Sequence, residues 1–560
     1  MNRLLKWTGV FMLGSVLAAH GEITRRGDKS AAVTVHELAT QAAMKAFRNG
    51  GNAVDAAIAA GLMLGVVDGF NSGVGGGCFM LVRSPDGKVT AFDGREIAGA
   101  AATRDMFVRN GKADVRLSQT GALAAGVPGS LAAYDAAAKK FGRLPLARAL
   151  EGAADLAETG FEISGNYAAR LRSASNEMAE FPATKAVFLT ESGTALSKGT
   201  VLKQVDLAKS YRSMAKEGIG WFYGGPFAAA TEKWMKENGG ILTAQDFKGY
   251  RMVVREPLRS SYRGYEVIGF PPPSSGGVHV AQILNMLATR GAGMVRTGSV
   301  EDVHFTAEAM KLAFADRAFW LGDPDFVKVP RGLADAEYAK GLAAKIDPLK
   351  TTTVSGYGTP ENAATDIFGK HTTHFSMADA EGWWVACTAT VNTTFGSKVV
   401  VPGTGIVLNN QMDDFSIQPG VRNAFGLVGA EANAVEPGKR PLSSMAPTLV
   451  LKDGQPVLSV GAAGGPTIIS QVLLAVVGVI DGGMTLDKAL AAPRIHHQWS
   501  PDVLKIEKSA GKEVIEELKR RGHRVEVTDE MGACNGIMRL SDGTLMAAGD
   551  GRVPGVAEAE

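Results

Sequence analysis

Apolar residues recur along the 560-residue chain with two periods, and each change of period marks an element. Residues 36–47 carry alanine and larger apolar side chains at helical spacing. Gly50-Gly51 ends that run, and Asn52 is placed to cap a second helix reaching about Val67. A continuous apolar stretch at 78–82 then predicts a strand, paired through the turn Pro85-Asp86-Gly87 with 89–92. Alanine-rich helices follow at about 129–175 and 206–238, and Thr243 to Asp246 has the spacing of a capping box. Pro271-Pro272-Pro273-Ser274-Ser275-Gly276-Gly277 interrupts the pattern before a helix at 278–289. No chemistry attaches to this motif from sequence, so it is assigned to structure.

The second half alternates in the same way. Residues 405–415 read as a strand running into a polar turn, and 419–441 as a long loop. A hairpin at 448–460 turns on Asp453-Gly454, and Gly461 to Gly465 opens an apolar helix at 467–479. A helix from Leu486, a strand near 503–507, a helix at 513–521, a strand at 524–528 and a hairpin turning on Asp542-Gly543 complete the chain. Paired strands alternating with paired helices predict an α/β sandwich.

One hairpin stands apart. Strand-like residues flank Ala380-Glu381-Gly382, so 371–396 folds back on itself. Period-2 alternation sends Thr372, His374 and Ser376 to one face and Thr373 and Phe375 to the other. Strand propensity alone accounts for a row of threonines.

Composition narrows the chemistry. A net charge of +2, with basic and acidic residues interspersed, gives no tract suited to nucleic acid or an anionic membrane. Cys78, Cys387 and Cys534 supply neither a disulfide framework nor a metal spacing, and read as buried small hydrophobes. His374, His496 and His497 lack a third ligand at useful spacing, so no metal is expected. The glycines from Gly73 to Gly77 precede a strand, whereas phosphate-binding glycines open a helix. Arg3 and Lys6 before an apolar run ending in small residues at 16–19 have the form of a secretory leader, which implies a periplasmic or secreted protein.

The residues Thr372-Thr373-His374-x-Ser376, then Gly382, then Val385-Ala386-x-Thr388-x-Thr390-Val391-Asn392 and Phe395-Gly396 resemble the start of the small subunit in the gamma-glutamyltransferases, or gamma-glutamyltranspeptidases. The pattern departs at Trp383, where the family has a small polar residue. The resemblance covers nearly all of the chain beyond the leader. It implies a four-layer αββα sandwich of the N-terminal-nucleophile hydrolase type, built from two chains cut from one precursor: leader 1–19, large subunit 20–371, small subunit 372–560. The polar, turn-rich stretch at 350–373 is then the end of the large subunit.

The same resemblance implies cleavage of the γ-glutamyl amide of glutathione and related compounds. The γ-glutamyl group passes through an ester on Thr372 to an amino acid, a peptide or water. Thr372 is the implied nucleophile and its freed α-amine the base, because an amine with a pKa of roughly 7.7–8.0 is partly neutral near pH 7.5. Thr390 is placed to hydrogen-bond the Thr372 hydroxyl, and Gly464 and Gly465 match the family's oxyanion glycines. Arg95, Ser443 and Ser444 would hold the substrate α-carboxylate; Asn392, Gln411 and Asp414 would hold its α-amino group. No cofactor is implied. Phe425 stands where relatives often carry a tyrosine that helps close the pocket. The rivals are a cephalosporin or glutaryl acylase on the same fold, which lacks the acidic partner at Asp414, and an unprocessed binding protein.

Overall fold

The computed structural model describes residues 23–293, 296–360, 373–418, 421–427, 429–553 and 555–560. The leader and Thr372 therefore lie outside the described residues, as do residues 361–371.

Most strands of the two large sheets come as hairpins joined by tight turns. In the first half they are β1 (Thr24–Gly27), β2 (Ser30–Thr34), β3 (Gly77–Arg83), β4 (Val89–Gly94), β5 (Val253–Arg255), β6 (Leu258–Tyr262) and β7 (Tyr265–Gly269). In the second half they are β8 (Thr373–Asp379), β9 (Trp384–Thr390), β10 (Thr448–Lys452), β11 (Gln455–Ala463), β12 (Ala533–Arg539), β13 (Leu545–Ala548) and β14 (Val556–Ala559). They assemble into two seven-stranded antiparallel sheets, one in the order β14-β2-β8-β9-β3-β4-β5 and the other β1-β13-β12-β11-β10-β7-β6. Phe79, Leu81 and Trp384 of the first sheet meet Ile268, Leu449 and Ile537 of the second in a buried inner layer, where Phe79 stacks on Phe270 at 4.2 Å.

Helices cover both outer faces. Over the first sheet lie α1 (Glu37–Arg48), α2 (Ala53–Val67), α3 (Ser130–Phe141) and α4 (Leu146–Thr159). Over the second lie α5 (Gly276–Ala288), α6 (Val300–Trp320) and α7 (Thr467–Ile480). Asn52 and Asp55 form the capping box that starts α2, and Thr243 and Asp246 form the one expected from their spacing. The result is the αββα sandwich implied by the resemblance.

The central hairpin forms as expected, and its register sets Thr373 opposite Ala389 and Ala378 opposite Trp384. Its alternation also holds. Phe375 and Met377 enter the core beneath α2, while the Ser376 hydroxyl meets that of Ser459 across the sheets at 2.8 Å. The glycine run before β3 serves backbone packing: a Cβ on Gly76 would sit 1.8 Å from the Thr390 carbonyl oxygen.

Two expectations are corrected. Residues 405–409 form no strand; they make one isolated bridge between Val400 and Val407 and lead into a 3₁₀ turn at Gln411–Asp414. The cause is the Asn409 side chain, which bonds the Gly75 and Gly126 carbonyls at 2.9 and 2.8 Å and receives the Gln411 N–H, so side-chain bonds replace a ladder. Residues 461–463 belong to the end of β11 rather than to a helix start, because each pairs with β12.

Candidate active site

At the end of β9 the Thr390 hydroxyl accepts the Asn392 N–H at 2.8 Å and is wholly buried. Thr390 lies one step beyond the Thr373–Ala389 pair, at the end of the hairpin where β8 begins. That corner is tied to α2. The Thr373 hydroxyl donates to Asp68, which caps the end of α2, at 2.9 Å, and the Asn71 carbonyl accepts the Val391 N–H at 2.9 Å. Burial pushes the Asp68 carboxyl up to about 7 against the hydrogen bonds from Thr373 and Asn71.

Beyond Thr390 a chain of contacts links most of the residues expected to bind substrate. The Asn392 amide donates to the Asn410 carbonyl at 2.9 Å. The Gln411 amide donates to Asp414 Oδ2 at 2.7 Å, and Arg95 Nη2 donates to the same oxygen. Arg95, just past β4, also donates to the Pro441 and Leu442 carbonyls at 2.8 and 2.9 Å, which brings Ser443 and Ser444 beside the cluster. Arg95, Gln411, Ser443 and Ser444 are 0% exposed, Asp414 1% and Asn392 2%, so these polar groups converge in a site shut off from solvent. An open groove of about 670 Å³ between α1, α2 and α4 holds none of them.

The unpaired atoms are informative. Each amide has its NH₂ fixed on an acceptor, which leaves Asn392 Oδ1 and Gln411 Oε1 as buried oxygens without a hydrogen-bond partner. Arg95 Nη1 is likewise unbonded, 3.7 Å from the Glu96 carboxylate. Burial raises Glu96 to about 8, so at neutral pH this carboxyl is largely protonated and Asp414 is the anion that faces Arg95.

Gly464 and Gly465 stand at the turn from β11 into α7, with φ of +123° and +66°. The two sheets cross so that Ser459 meets Ser376 and Gly461 faces His374, two residues further along each strand towards the start of β8. The glycine pair therefore lies at the same end of the sandwich as Thr373. His374, kept neutral by burial with its pKa lowered to about 3, bonds the Thr388 and Ser376 hydroxyls. No group of three metal-ligating side chains occurs among the described residues. Cys78, Cys387 and Cys534 are free and buried.

A family model described as Gamma-glutamyltranspeptidase matches residues 39–560. The chain belongs to the gamma-glutamyltranspeptidase family. It is 44% identical over 530 residues to the glutathione hydrolase proenzyme of Escherichia coli strain K12, covering 94% of this chain and 91% of that one. A solved cephalosporin acylase from Bacillus halodurans matches with a TM-score of 0.87 and 28% identity over 99% of both chains. Helicobacter pylori gamma-glutamyltranspeptidase matches with a TM-score of 0.57 and 38% identity, covering 59% of this chain and 95% of that one. As a gamma-glutamyltranspeptidase-family member the chain is an enzyme that cleaves and transfers γ-glutamyl groups, on the N-terminal-nucleophile hydrolase fold.

Three neighbours of these residues escaped the sequence reading: Glu96 beside Arg95, Asp68 beside Thr373, and Arg317, which donates to Ser444. A buried acid directly after Arg95 was readable as a signal. Arg317 was not, because α6 is buried almost all round and offers no polar face to pick out.

Proposed function

We propose that the chain is a precursor cut before Thr372 into a large subunit, 20–371, and a small subunit, 372–560, and that the cut protein hydrolyses glutathione and related γ-glutamyl amides. In the first step the Thr372 hydroxyl attacks the His371 carbonyl, the peptide bond gives way to an ester, and water opens it to a His371 carboxylate and a free Thr372 amine. In turnover that amine takes the hydroxyl proton as Thr372 attacks the γ-carbonyl. Backbone N–H groups at Gly464 and Gly465 stabilise the oxyanion, and the leaving amine departs with the proton. An amino acid, a peptide or water then attacks the ester. Thr390 holds the nucleophile's oxygen in line.

The observation that carries the substrate assignment is the buried donor and acceptor set. Arg95 offers a guanidinium edge to the α-carboxylate, with Ser443 and Ser444 beside it. The vacant oxygens of Asn392 and Gln411, next to the Asp414 carboxylate, suit an ammonium. Arg95 and Asp414 neutralise each other here, and a zwitterionic head group would take the place of that pairing. The cut itself is supported by the Helicobacter pylori chain, which is matched almost whole yet spans a share of this protein close to that of the residues before Thr372.

The acylase likeness favours a second reading, an enzyme for glutaryl or cephalosporin side chains, which carry the carboxylate and lack the amine. Asp414 argues against it. The form of the first 19 residues supports a periplasmic or secreted location, and no described helix is long and apolar enough to cross a membrane. Purified protein should contain two fragments, the smaller starting at Thr372 by N-terminal sequencing. Thr372→Ala should remain one inactive chain; an active uncut protein would overturn the mechanism.

A further inference from the structure

The proline-serine-glycine motif before α5, which had no chemistry in the sequence, forms one wall of the site. The Ser275 N–H donates to the Ser443 carbonyl at 2.7 Å, and the Ser443 N–H donates to the Pro273 carbonyl at 2.8 Å, so this loop and the serine pair lie side by side. Arg317 reaches into the seam from α6 and is 0% exposed. Its Nε donates to the Ser275 hydroxyl at 2.9 Å, and its Nη2 donates to the Ser444 hydroxyl. Two hydroxyls 3.4 Å apart thus receive one edge of a single guanidinium.

The direction of these bonds decides what each serine can still do. The Ser275 hydroxyl accepts from Arg317 and donates to the Ser443 carbonyl at 2.8 Å, so its one hydrogen is spent. Ser444 accepts from Arg317, and its hydrogen has only the long 3.4 Å contact to Ser275 among its described side-chain partners. A carboxylate oxygen brought into the site is a stronger acceptor than that hydroxyl.

We infer that Arg317, oriented by Ser275, is a positioning residue that fixes Ser444 as a hydrogen-bond donor to the α-carboxylate of the substrate. The inference rests on the carboxylate assignment made above for Ser444. Arg317 also feels the Asp414 carboxylate that Arg95 binds. Burial opposes the Arg317 charge, the Asp414 carboxylate favours it, and a carboxylate ligand favours it further. Selection for that carboxylate therefore draws on a helix of the opposite layer as well as on the loops around Arg95.

The test compares three anilides on cut, purified enzyme: γ-glutamyl, with both head groups; glutaryl, with the carboxylate alone; and 4-aminobutyryl, with the amine alone. Arg317→Gln should raise KM for the first two by about 10- to 100-fold, the worth of one charge-assisted hydrogen bond, and leave kcat and the third substrate's KM near their parent values. Ser444→Ala should cost much less in the Arg317→Gln background than in the parent. Equal KM changes on all three substrates, or additive Arg317 and Ser444 effects, would overturn the inference while leaving the substrate assignment intact. A parent enzyme that does not distinguish γ-glutamyl from 4-aminobutyryl anilide would instead remove the assignment itself. If Arg317→Gln does not accumulate as cut protein, Ser275→Ala carries the test: it must raise KM for the two carboxylate-bearing anilides only, and a uniform rise or no change sinks the idea.

Discussion

Replacing Asp414 by asparagine separates a γ-glutamyl enzyme from an acylase, and the buried pair with Arg95 sets the size of the effect. Asp414 shares one oxygen between Arg95 and Gln411 and is 1% exposed, so its carboxylate acts in a nearly dry site. Removing one member of a buried ion pair costs about 3–5 kcal/mol, and loss of the contact to a substrate ammonium in that setting should lower kcat/KM for γ-glutamyl anilide by roughly 100- to 5,000-fold. Glutaryl anilide has no ammonium. For it the substitution removes a carboxylate that competes for Arg95, which stays anchored on the Pro441 and Leu442 carbonyls at 2.8 and 2.9 Å, so kcat/KM should hold or rise. Both constants are to be measured on one cut preparation whose small fragment begins at Thr372. An equal fall on both substrates would show that Asp414 holds Arg95 in place instead of reading the amine, and the reasoning would fail.

Two further outcomes follow from the same geometry. Asp68 has its carboxyl raised from 3.8 to about 7, so the folded state holds a proton the unfolded chain releases. Its contribution is fully present below about pH 4 and is lost as pH rises through 7, about 4 kcal/mol in all. Asp68→Asn should therefore raise Tm relative to the parent more at pH 8 than at pH 5, and a difference independent of pH would refute this. Gly464→Ala puts a Cβ 2.7 Å from the Thr467 hydroxyl at a φ of +123°, so it should turn the N–H groups away from the oxyanion and lower kcat about 10²- to 10³-fold with little change in KM. Unchanged kcat in steady-state assays would remove the glycine pair from the mechanism.

Local signals carried much of the architecture. Gly382 and the alternation around it located the central hairpin and both its faces, and Asn52 and Thr243 marked true helix starts, because turns and caps are decided by neighbours a few residues apart. Arg95 was reached through the resemblance, because a single arginine past a strand has no local pattern of its own. What could not be read was decided at long range. Residues 405–409 have strand composition, yet Asn409 binds backbone from Gly75 and Gly126, far away in sequence. Val556–Ala559 is short, with one charged residue among its four, and becomes a strand by pairing along β2. The pairing of Arg95 with Asp414 joins residues 319 positions apart, and no periodicity reports such a contact.

The strand order has a consequence for the history of the molecule. A break before Thr372 would put β1 to β7 on one piece and β8 to β14 on the other, yet each sheet contains strands of both, with β2 clasped between β14 and β8 and β7 against β10. The pieces could not part without unzipping both sheets, so the break would loosen the chain end at the nucleophile and leave the body closed. Assembly must then come before scission. A precursor that unfolds can find its way back alone, whereas a cut molecule that unfolds becomes two strangers whose reunion depends on their concentration. The single peptide bond before Thr372 would thus act as a ratchet: its loss brings the nucleophile into service and, at the same stroke, discards the unimolecular route by which the fold was reached.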